Sequence, residues 1–404
     1  MIFRTIILSL VVATTTHAFA MNGGWGPSPR QLMQTSRNYN RIDSKLSATI
    51  ENSTTEETSA AATTTASVGE KDNERVTTAD VLSLDSIRST LIRQEETIIF
   101  AIIERSQYRS NSIVYQGNGF GDLGLPAGVN QDGPISAESE KELSFLEYML
   151  IGTEILHCGV RRYTSPEEHA FFPDCLPSGP NAALPQLEYP TDLLSPIGGA
   201  NSVNFNPILL KKYTEWIVPS VTKSGDDEQH GSAVLADIAV LQALSKRVHY
   251  GKFVAESKYR SDPEEYQRLV DNNDPEGVME LLTNSAVEER VLRRARIKAA
   301  TYGREPLMTQ LPDEKAVGCS DTVSFVAAAA ASAVASAFEA IGESESAKTG
   351  KIDPAAIEDI YRKFIIPLTK DIEVAYLFKR CGKEPPAEYA PDRMSIDLTI
   401  TEEE

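Results

Sequence analysis

The chain has 404 residues, 41% of them hydrophobic and 24% charged, which is enough to bury a large core in one to three domains. Its 58 acidic residues against 39 basic ones give a formal net charge of −19, and no basic run is interleaved with aromatic residues. This balance argues against nucleic acid as a partner. Any anion that the protein binds is therefore expected to be a small molecule.

The N-terminal 78 residues have the composition of a targeting leader. Residues 1–20 contain one basic residue, an apolar run from Ile6 to Val12 and alanines with A-x-A spacing at positions 18 and 20. This pattern predicts a secretory signal peptide and is too short for a membrane span. Residues 21–78 follow, and their first part has four basic residues against one acidic residue, a composition that resembles a plastid transit peptide.

A signal peptide followed by a transit-like segment resembles the two-part leader of algae whose plastids have extra membranes. It predicts plastid localisation, and a secreted protein with a disordered N-terminal arm is the alternative. The four cysteines show no C-x-x-C pair and no disulfide-scaffold density, so we expect free thiols in a reducing compartment. Free thiols disfavour secretion.

Helical periodicity dominates the chain beyond the leader. Apolar residues recur at helical spacing from Asp80 to Ser110. Further helices are predicted at about 140–162, 207–222, 231–260, 275–302 and 354–380. Loops rich in Gly, Pro and Asn separate them, and no alternation of period two is sustained. The fold class is therefore predicted to be all-α, a helical bundle.

Two segments interrupt this plan. Residues 306–350 contain the Ala-rich run SFVAAAAASAVASAFEA with the charged Glu339, which favours a surface helix or partly ordered insert over a membrane span. Residues 383–404 are acidic and contain proline, so we expect a solvated tail. We expect no membrane partner for either segment.

Familiar catalytic motifs have little support. Gly119, Gly121 and Gly124 satisfy G-x-G-x-x-G, but no strand is predicted before them and no helix after them, which favours a flexible loop over a dinucleotide site. There is no nucleophile elbow, no Walker A motif and no histidine set with metal-ligand spacing. A hydrolase, a kinase or a metalloenzyme therefore has no sequence support, and we expect no metal.

Basic residues lie on the apolar stripes of two predicted helices. Arg88 falls between Leu84 and Leu91, so we expect it to point toward the core. Arg247 and Lys258 are eleven residues apart, or three helical turns, and share one face with a glycine at position 251 between them. A glycine inside a helix costs roughly 1 kcal/mol relative to alanine. Something is therefore expected to approach the backbone there.

Polar residues also lie on the stripes of the two last predicted helices. Asn284 and Glu288 are four residues apart, with the apolar Leu281 and Val291 above and below them. The pair at positions 369 and 373, a threonine and a glutamate, has the same spacing. Mutual ion pairs in the core are the alternative explanation, but buried ion pairs generally do not improve stability. A polar cavity that binds a dianion explains the set more simply.

Five blocks of the chain closely resemble the eukaryotic all-helical chorismate mutases. They are SIRSTLIRQEETIIFAIIERSQY, GVRRYTSPEEHAFFPD, DIAVLQALSKRVHYGKFVAESKYRSD, LLTNSAVEERVLRRA and FIIPLTKDIEVAYLFKR. The resemblance covers roughly residues 79–305 and 352–381. It implies a catalytic domain at 79–382 whose active site lies among long helices. It further implies an isomerase that converts chorismate to prephenate in phenylalanine and tyrosine biosynthesis without a cofactor.

The resemblance also implies roles for seven residues. The catalytic set is Arg88, Arg247, Lys258, Glu288 and Glu373, and the substrate-binding pair is Asn284 and Thr369. The two arginines would bind the carboxylates of chorismate with help from Asn284 and Thr369. Lys258 and Glu373 would donate to the ether oxygen, and Glu288 would accept from the ring hydroxyl. We expect Gly251 to leave room for the substrate between the two cations.

A second site is implied at a dimer interface. Arg161 and Arg162, with Gly231 and Ser232, resemble the family's effector site, where tyrosine inhibits and tryptophan activates. Leu235 stands where the family usually has threonine, so a hydrogen bond to the effector is expected to be lost. A pair of surface arginines beside a helix N-terminus is the alternative explanation. The resemblance implies a homodimer.

Two classes of function follow. The first is an active chorismate mutase, in the plastid or secreted. The second is a non-catalytic helical binding or regulatory protein derived from the same fold. The presence of all seven polar residues favours the enzyme.

Overall fold

A computed structural model of the protein describes residues 78–130, 142–178, 184, 193–303, 350–391 and 393. Every regular element within these ranges is helical, which confirms the prediction of an all-α fold. Residues 1–77 of the predicted leader and residues 304–349, which include nearly all of the Ala-rich insert, lie outside the described ranges. No helix in the described ranges combines the length and apolarity needed to cross a bilayer.

The α-helices of the described ranges follow one another as listed here. They are α1 Thr78–Val81, α2 Leu84–Arg105, α3 Phe145–Gly159, α4 Asn206–Lys212, α5 Val218–Val221, α6 His230–His249, α7 Gly251–Ser261, α8 Pro263–Asp271, α9 Pro275–Leu282, α10 Ser285–Tyr302, α11 Pro354–Ile360 and α12 Ile366–Arg380. Two π-helical segments, Tyr213–Ile217 and Tyr361–Ile365, connect α4 to α5 and α11 to α12.

Two of the predicted long helices are divided in the structure. The predicted helix 231–260 is divided at Tyr250, whose backbone stays in the right-handed helical region, so α7 continues closely from α6. The predicted helix 275–302 is broken, because Thr283 and Asn284 are extended. Asn284 instead begins α10, where its side-chain oxygen accepts a hydrogen bond from the backbone N–H of Val287 at 3.1 Å. Positions before and after this break therefore do not share one helical face.

The two π segments have the same local cause. Each is followed by one residue and then a proline, at positions 219 and 367. Proline has no N–H to bond the carbonyl four residues before it, and its ring crowds that carbonyl. A widened turn relieves the crowding, and the N–H of Ile366 accordingly bonds the carbonyl of Tyr361, five residues earlier.

Buried apolar side chains form two main clusters that meet along α12. The larger cluster includes Leu368 and Ile372 together with residues of α2, α6 and α10. The second includes Val374 and Leu377 together with residues of α7, α8 and α9. The turns of α12 that carry Thr369 and Glu373 therefore lie where the two halves of the core join.

A buried ion pair that the sequence analysis missed connects α2 to α6. The Nε of Arg105 donates to Oδ1 of Asp237 at 2.5 Å, and both side chains are fully buried. The hydroxyls of Tyr115 and Tyr213 donate to the same carboxylate at 2.8 and 2.6 Å. With its charge and its lone pairs satisfied, this network is structural.

The start of the C-terminal segment is attached to the body rather than solvated as expected. The Nζ of Lys383 donates to the carbonyls of Val270 and Asp271 at 3.1 and 2.9 Å. Arg393 forms an ion pair with Asp371 at 2.5 Å. Residues 394–404 of the predicted tail lie outside the described ranges.

The cysteines agree with the prediction of free thiols as far as they are described. Cys158 and Cys381 are free thiols, Cys175 is buried, and Cys319 lies outside the described ranges.

Candidate active site

Arg247 is a buried cation without a carboxylate partner among the described residues. Only 6% of the residue is exposed, and its Nε has no hydrogen-bond partner. Burying an unpaired charge is costly, so a protein keeps such a group where it serves another purpose. The buried Arg105 shows the contrast, because Asp237 compensates its charge directly.

Glu373 on α12 lies in the field of three cations. Burial raises the pKa of its carboxyl to about 7, while the charges of Lys258, Arg247 and Lys370 oppose the rise and Glu288 adds to it. At neutral pH the carboxyl is therefore protonated in a substantial fraction of molecules. A neutral carboxylic acid can donate a hydrogen bond, which a carboxylate cannot.

Lys258 on α7 is held at the end of a neighbouring helix. Its ammonium donates to the carbonyl of Leu282, the last residue of α9. Burial lowers its pKa, while the charges of Glu373 and Glu288 counteract the change. The ammonium therefore lies close enough to both carboxyls for their charges to act on it.

Glu288 has a partner that the sequence analysis missed. Its Oε1 accepts from the Nζ of Lys370 at 2.8 Å, and both groups are partly exposed. Lys370 directly follows Thr369 and therefore lies beside the helical face that carries Thr369 and Glu373. Periodicity did not identify it for that reason. Its charge also acts on Lys258 and Glu373, so Lys370 belongs to the cluster.

Thr369 is buried on the same helix as Glu373, but its hydroxyl is already engaged. The Oγ1 donates to the carbonyl of Ile365, four residues earlier, at 2.6 Å. Its proton is therefore used within the helix, and its oxygen retains acceptor capacity.

The expected role of Gly251 is wrong. A Cβ at this position would lie 2.9 Å from Cγ2 of Thr369, 3.0 Å from its carbonyl oxygen and 3.2 Å from Cγ of Glu373. The space beside Gly251 is thus filled by α12 and is not open to a substrate. The glycine instead allows α7 and α12 to approach closely, which brings Glu373 to the helix that carries Lys258.

We expect Gly251→Ala to lower the free energy of unfolding by about 1 kcal/mol. Overpacking against α12 costs roughly 1–3 kcal/mol, and the higher helix propensity of alanine offsets about 1 kcal/mol of that cost. The matched control is Gly159→Ala at the end of α3, where a Cβ would meet nothing within 4 Å. Denaturant unfolding of both variants is the measurement. Equal stability of the two would contradict the close approach.

The predicted inward orientation of Arg88 is also wrong. Its side chain is 59% exposed and forms an ion pair with Asp85 at 3.0 Å. The buried face of α2 begins with Ile87 and continues through Gln94 and Glu95. Leu84, which the prediction placed on the core stripe, is itself exposed, so the stripe was assigned about one residue off the true face.

Asn284 does not lie inside the cluster as predicted. It is exposed as the N-cap of α10, and Leu281 is exposed on α9. The expected stripe through positions 281, 284, 288 and 291 does not exist because the helix is broken before Ser285. The amide nitrogen of Asn284 remains available as a donor, since the cap uses only its oxygen.

The four residues of the implied effector site fall into two separate pairs. Arg161 has a left-handed backbone with φ 62° just after α3, and Arg162 bonds Glu168 and Gln242 at 3.0 Å each. Gly231 and Ser232 are exposed at the start of α6. Gln242 lies ten residues after Ser232 on that helix, or about 15 Å along its axis. The described chain does not bring the two pairs together.

Comparison with known proteins gives consistent matches. Residues 234–374 match the family described as chorismate mutase type II. The chain is 38% identical over 314 residues to chorismate mutase 1, chloroplastic, of Petunia hybrida, with 78% of this chain and 81% of the relative covered.

Solved structures are similar as well. The crystal structure of Aro7p chorismate mutase from Candida albicans in complex with L-Trp matches with a TM-score of 0.58 and 34% identity, covering 76% of this chain and 95% of that one. The structure of AtCM1 with tyrosine bound in its allosteric site matches with a TM-score of 0.55 and 35% identity, covering 76% and 99%.

Proposed function

The chain belongs to the chorismate mutase type II family, and we propose that Arg247, Lys258 and Glu373 perform its reaction, the conversion of chorismate to prephenate. The enzyme is an isomerase, and the reaction is a [3,3] rearrangement within one molecule. It needs no nucleophile, because the protein has only to hold the conformer in which the two reacting ends meet. Such orientation can supply several kcal/mol of the barrier.

Arg247 would bind a carboxylate of chorismate. A guanidinium matches a carboxylate with two parallel hydrogen bonds. This one is buried, has no carboxylate partner among the described residues, and leaves its Nε without a hydrogen bond. This single observation carries the proposal, since a dianionic substrate supplies the charge that the buried arginine lacks.

Arg88 and Asn284 would take part from the surface. The ion pair of Arg88 with Asp85 is exposed and therefore worth little, so turning toward a substrate carboxylate costs little. The amide nitrogen of Asn284 would donate to the same carboxylates. The hydroxyl of Thr369 would donate to them as well, by turning away from the carbonyl of Ile365.

Lys258 and Glu373 would stabilise the ether oxygen. The C–O bond breaks ahead of C–C bond formation, so negative charge develops on that oxygen. A partly buried ammonium and a neutral carboxylic acid are preorganised donors to it, and such electrostatic stabilisation is usually the largest catalytic effect. Glu288, held by Lys370, would accept from the ring hydroxyl.

The test is direct. The full-length chain is incubated with chorismate, and loss of the diene absorbance is followed together with formation of prephenate. We expect enzyme-dependent turnover without an added cofactor. No turnover by folded protein would favour the non-catalytic binding protein.

We further propose that the protein is a homodimer with an effector site between its subunits. Arg161 and Arg162 could share a pocket with Gly231 and Ser232 only if one pair comes from a second copy. The three most exposed large apolar side chains in the described ranges are on or beside α3 and α6, at 74%, 62% and 59%, and they are Leu156, Val160 and Leu235. A subunit interface would cover them.

The solution state and the effector response test this proposal together. Sedimentation equilibrium is expected to give a dimer, and Leu156→Glu is expected to dissociate it. We expect tryptophan to raise activity and tyrosine to inhibit weakly, because Leu235 offers no hydroxyl, and Leu235→Thr should strengthen inhibition. A monomer that responds to neither amino acid would contradict the proposal.

The leader supports a proposal of plastid import. The Petunia relative is named chloroplastic, and residues 1–78 carry the signal-like and transit-like segments in the order that two successive sorting steps require. A fluorescent reporter fused to residues 1–78 should reach the plastid of an alga with extra plastid membranes. Release of the reporter into the medium would contradict plastid import and favour secretion.

A further inference from the structure

Tyr361 has a buried hydroxyl without a hydrogen-bond partner. The residue is fully buried, and its hydroxyl bonds no donor or acceptor in the described part of the chain. Burial raises its pKa, and the charges that act on it are those of Arg247, Glu95 and Arg294, in that order. A buried hydroxyl left without a partner destabilises a fold, so a retained one calls for an explanation.

The π segment turns Tyr361 toward the residues of the proposed site. In an uninterrupted helix, eight steps of about 100° would place Thr369 about 80° away from Tyr361. The widened turn accommodates one extra residue, so the rotation from Tyr361 to Thr369 equals that of seven regular residues. The two side chains then lie within about 20° of each other around the helix axis. Counted in the same way, Glu373 lies within about 20° of Tyr361, on the opposite side from Thr369. Because Arg247 acts on both Tyr361 and Glu373, it lies near this face.

A second buried tyrosine, also at the start of a π segment, does have a hydrogen-bond partner. Tyr213 also begins a π segment and is also buried, yet its hydroxyl donates to Asp237 at 2.6 Å. In the described ranges no acceptor bonds the hydroxyl of Tyr361. The carboxylate of Glu95 is occupied by Arg294, which donates to it at 2.7 and 2.5 Å.

We propose that the Tyr361 hydroxyl donates to the substrate carboxylate that Arg247 binds, which makes Tyr361 a further substrate-binding residue. This inference rests on the proposed function. The Nε of Arg247 and the hydroxyl of Tyr361 are both buried and both lack partners. One carboxylate has enough lone pairs to satisfy both groups, and bonds to an ionised acceptor are the stronger kind.

The test compares Tyr361→Phe with Tyr213→Phe in the full-length chain. Tyr361→Phe is expected to lower kcat/KM for chorismate by about tenfold or more, mainly through KM, as for loss of one hydrogen bond to a charged group. Its unfolding midpoint should equal or exceed that of the wild type, because an unsatisfied buried hydroxyl is removed. Tyr213→Phe should show the reverse, with a lower midpoint and unchanged kcat/KM.

The outcomes separate the inference from the function on which it rests. An active wild type with an impaired but stable Tyr361→Phe variant supports the inference. An active wild type with a Tyr361→Phe variant of unchanged kcat/KM overturns it and leaves the proposed function standing, whether or not stability changes. A folded wild type that does not convert chorismate overturns the proposed function and this inference together.

Discussion

Arg247→Ala is expected to lower kcat/KM for chorismate by about three orders of magnitude, while the protein remains folded. Loss of a buried charged contact to a dianion removes several kcal/mol of transition-state binding, and each 1.36 kcal/mol corresponds to about tenfold in rate. Stability should fall much less, because no described carboxylate pairs with Arg247 and none is left uncompensated. The measurements are steady-state kinetics and denaturant unfolding on the same preparation.

Arg105→Ala is the matched control for a buried arginine. It leaves Asp237 buried without its counterion, so we expect a loss of about 3–5 kcal/mol in the free energy of unfolding. The fraction that remains folded should keep its kcat/KM. If Arg247→Ala instead unfolds the protein, or keeps near-normal kcat/KM, then Arg247 has a structural role.

The pH dependence of kcat/KM is expected to show a decline above about pH 7, set by Glu373, whose pKa burial raises to about 7. Only the protonated acid can donate to the ether oxygen, so activity should fall about tenfold for each further pH unit. Glu373→Gln, a permanent donor of similar shape, should remove this decline. At pH 9 the variant is therefore expected to be more active than the wild type.

The pH dependence of the free energy of unfolding reports on the same Glu373 carboxyl. Because its folded pKa lies above the ordinary value of 4.5, the folded state binds the proton more tightly than the unfolded state. Its contribution to the free energy of unfolding is fully present below pH 4.5 and is lost as the pH rises through about 7. Glu373→Gln should lack this loss.

Lys258 offers the competing explanation of an alkaline decline. Burial lowers its pKa, so loss of its proton would also reduce activity at high pH. A wild type without an alkaline decline, or a Gln variant with the same decline, would show that Glu373 is not the donor. Lys258 alone would then stabilise the ether oxygen.

Periodicity in the amino-acid sequence was sufficient to predict the all-α fold class and to place Arg247 and Glu373 on buried helical faces. Periodicity identified the helices, because an apolar stripe must be buried for a helix to be stable. Arg247 was correctly expected to be buried, since its apolar neighbours on α6 are buried with it. Glu373 was identified in the same way on α12.

How the helical faces meet depends on tertiary packing, which periodicity does not encode. Periodicity predicts the angular position of a side chain around the axis of its own helix. Each residue that a break or a widened turn adds changes this position by about 100°. The break before Ser285 therefore moved Asn284 to the surface, and the π segment brought Tyr361 toward the site. Arg88 faces outward and Gly251 packs against α12 because the neighbouring helices, and not the local pattern, determine which face is covered.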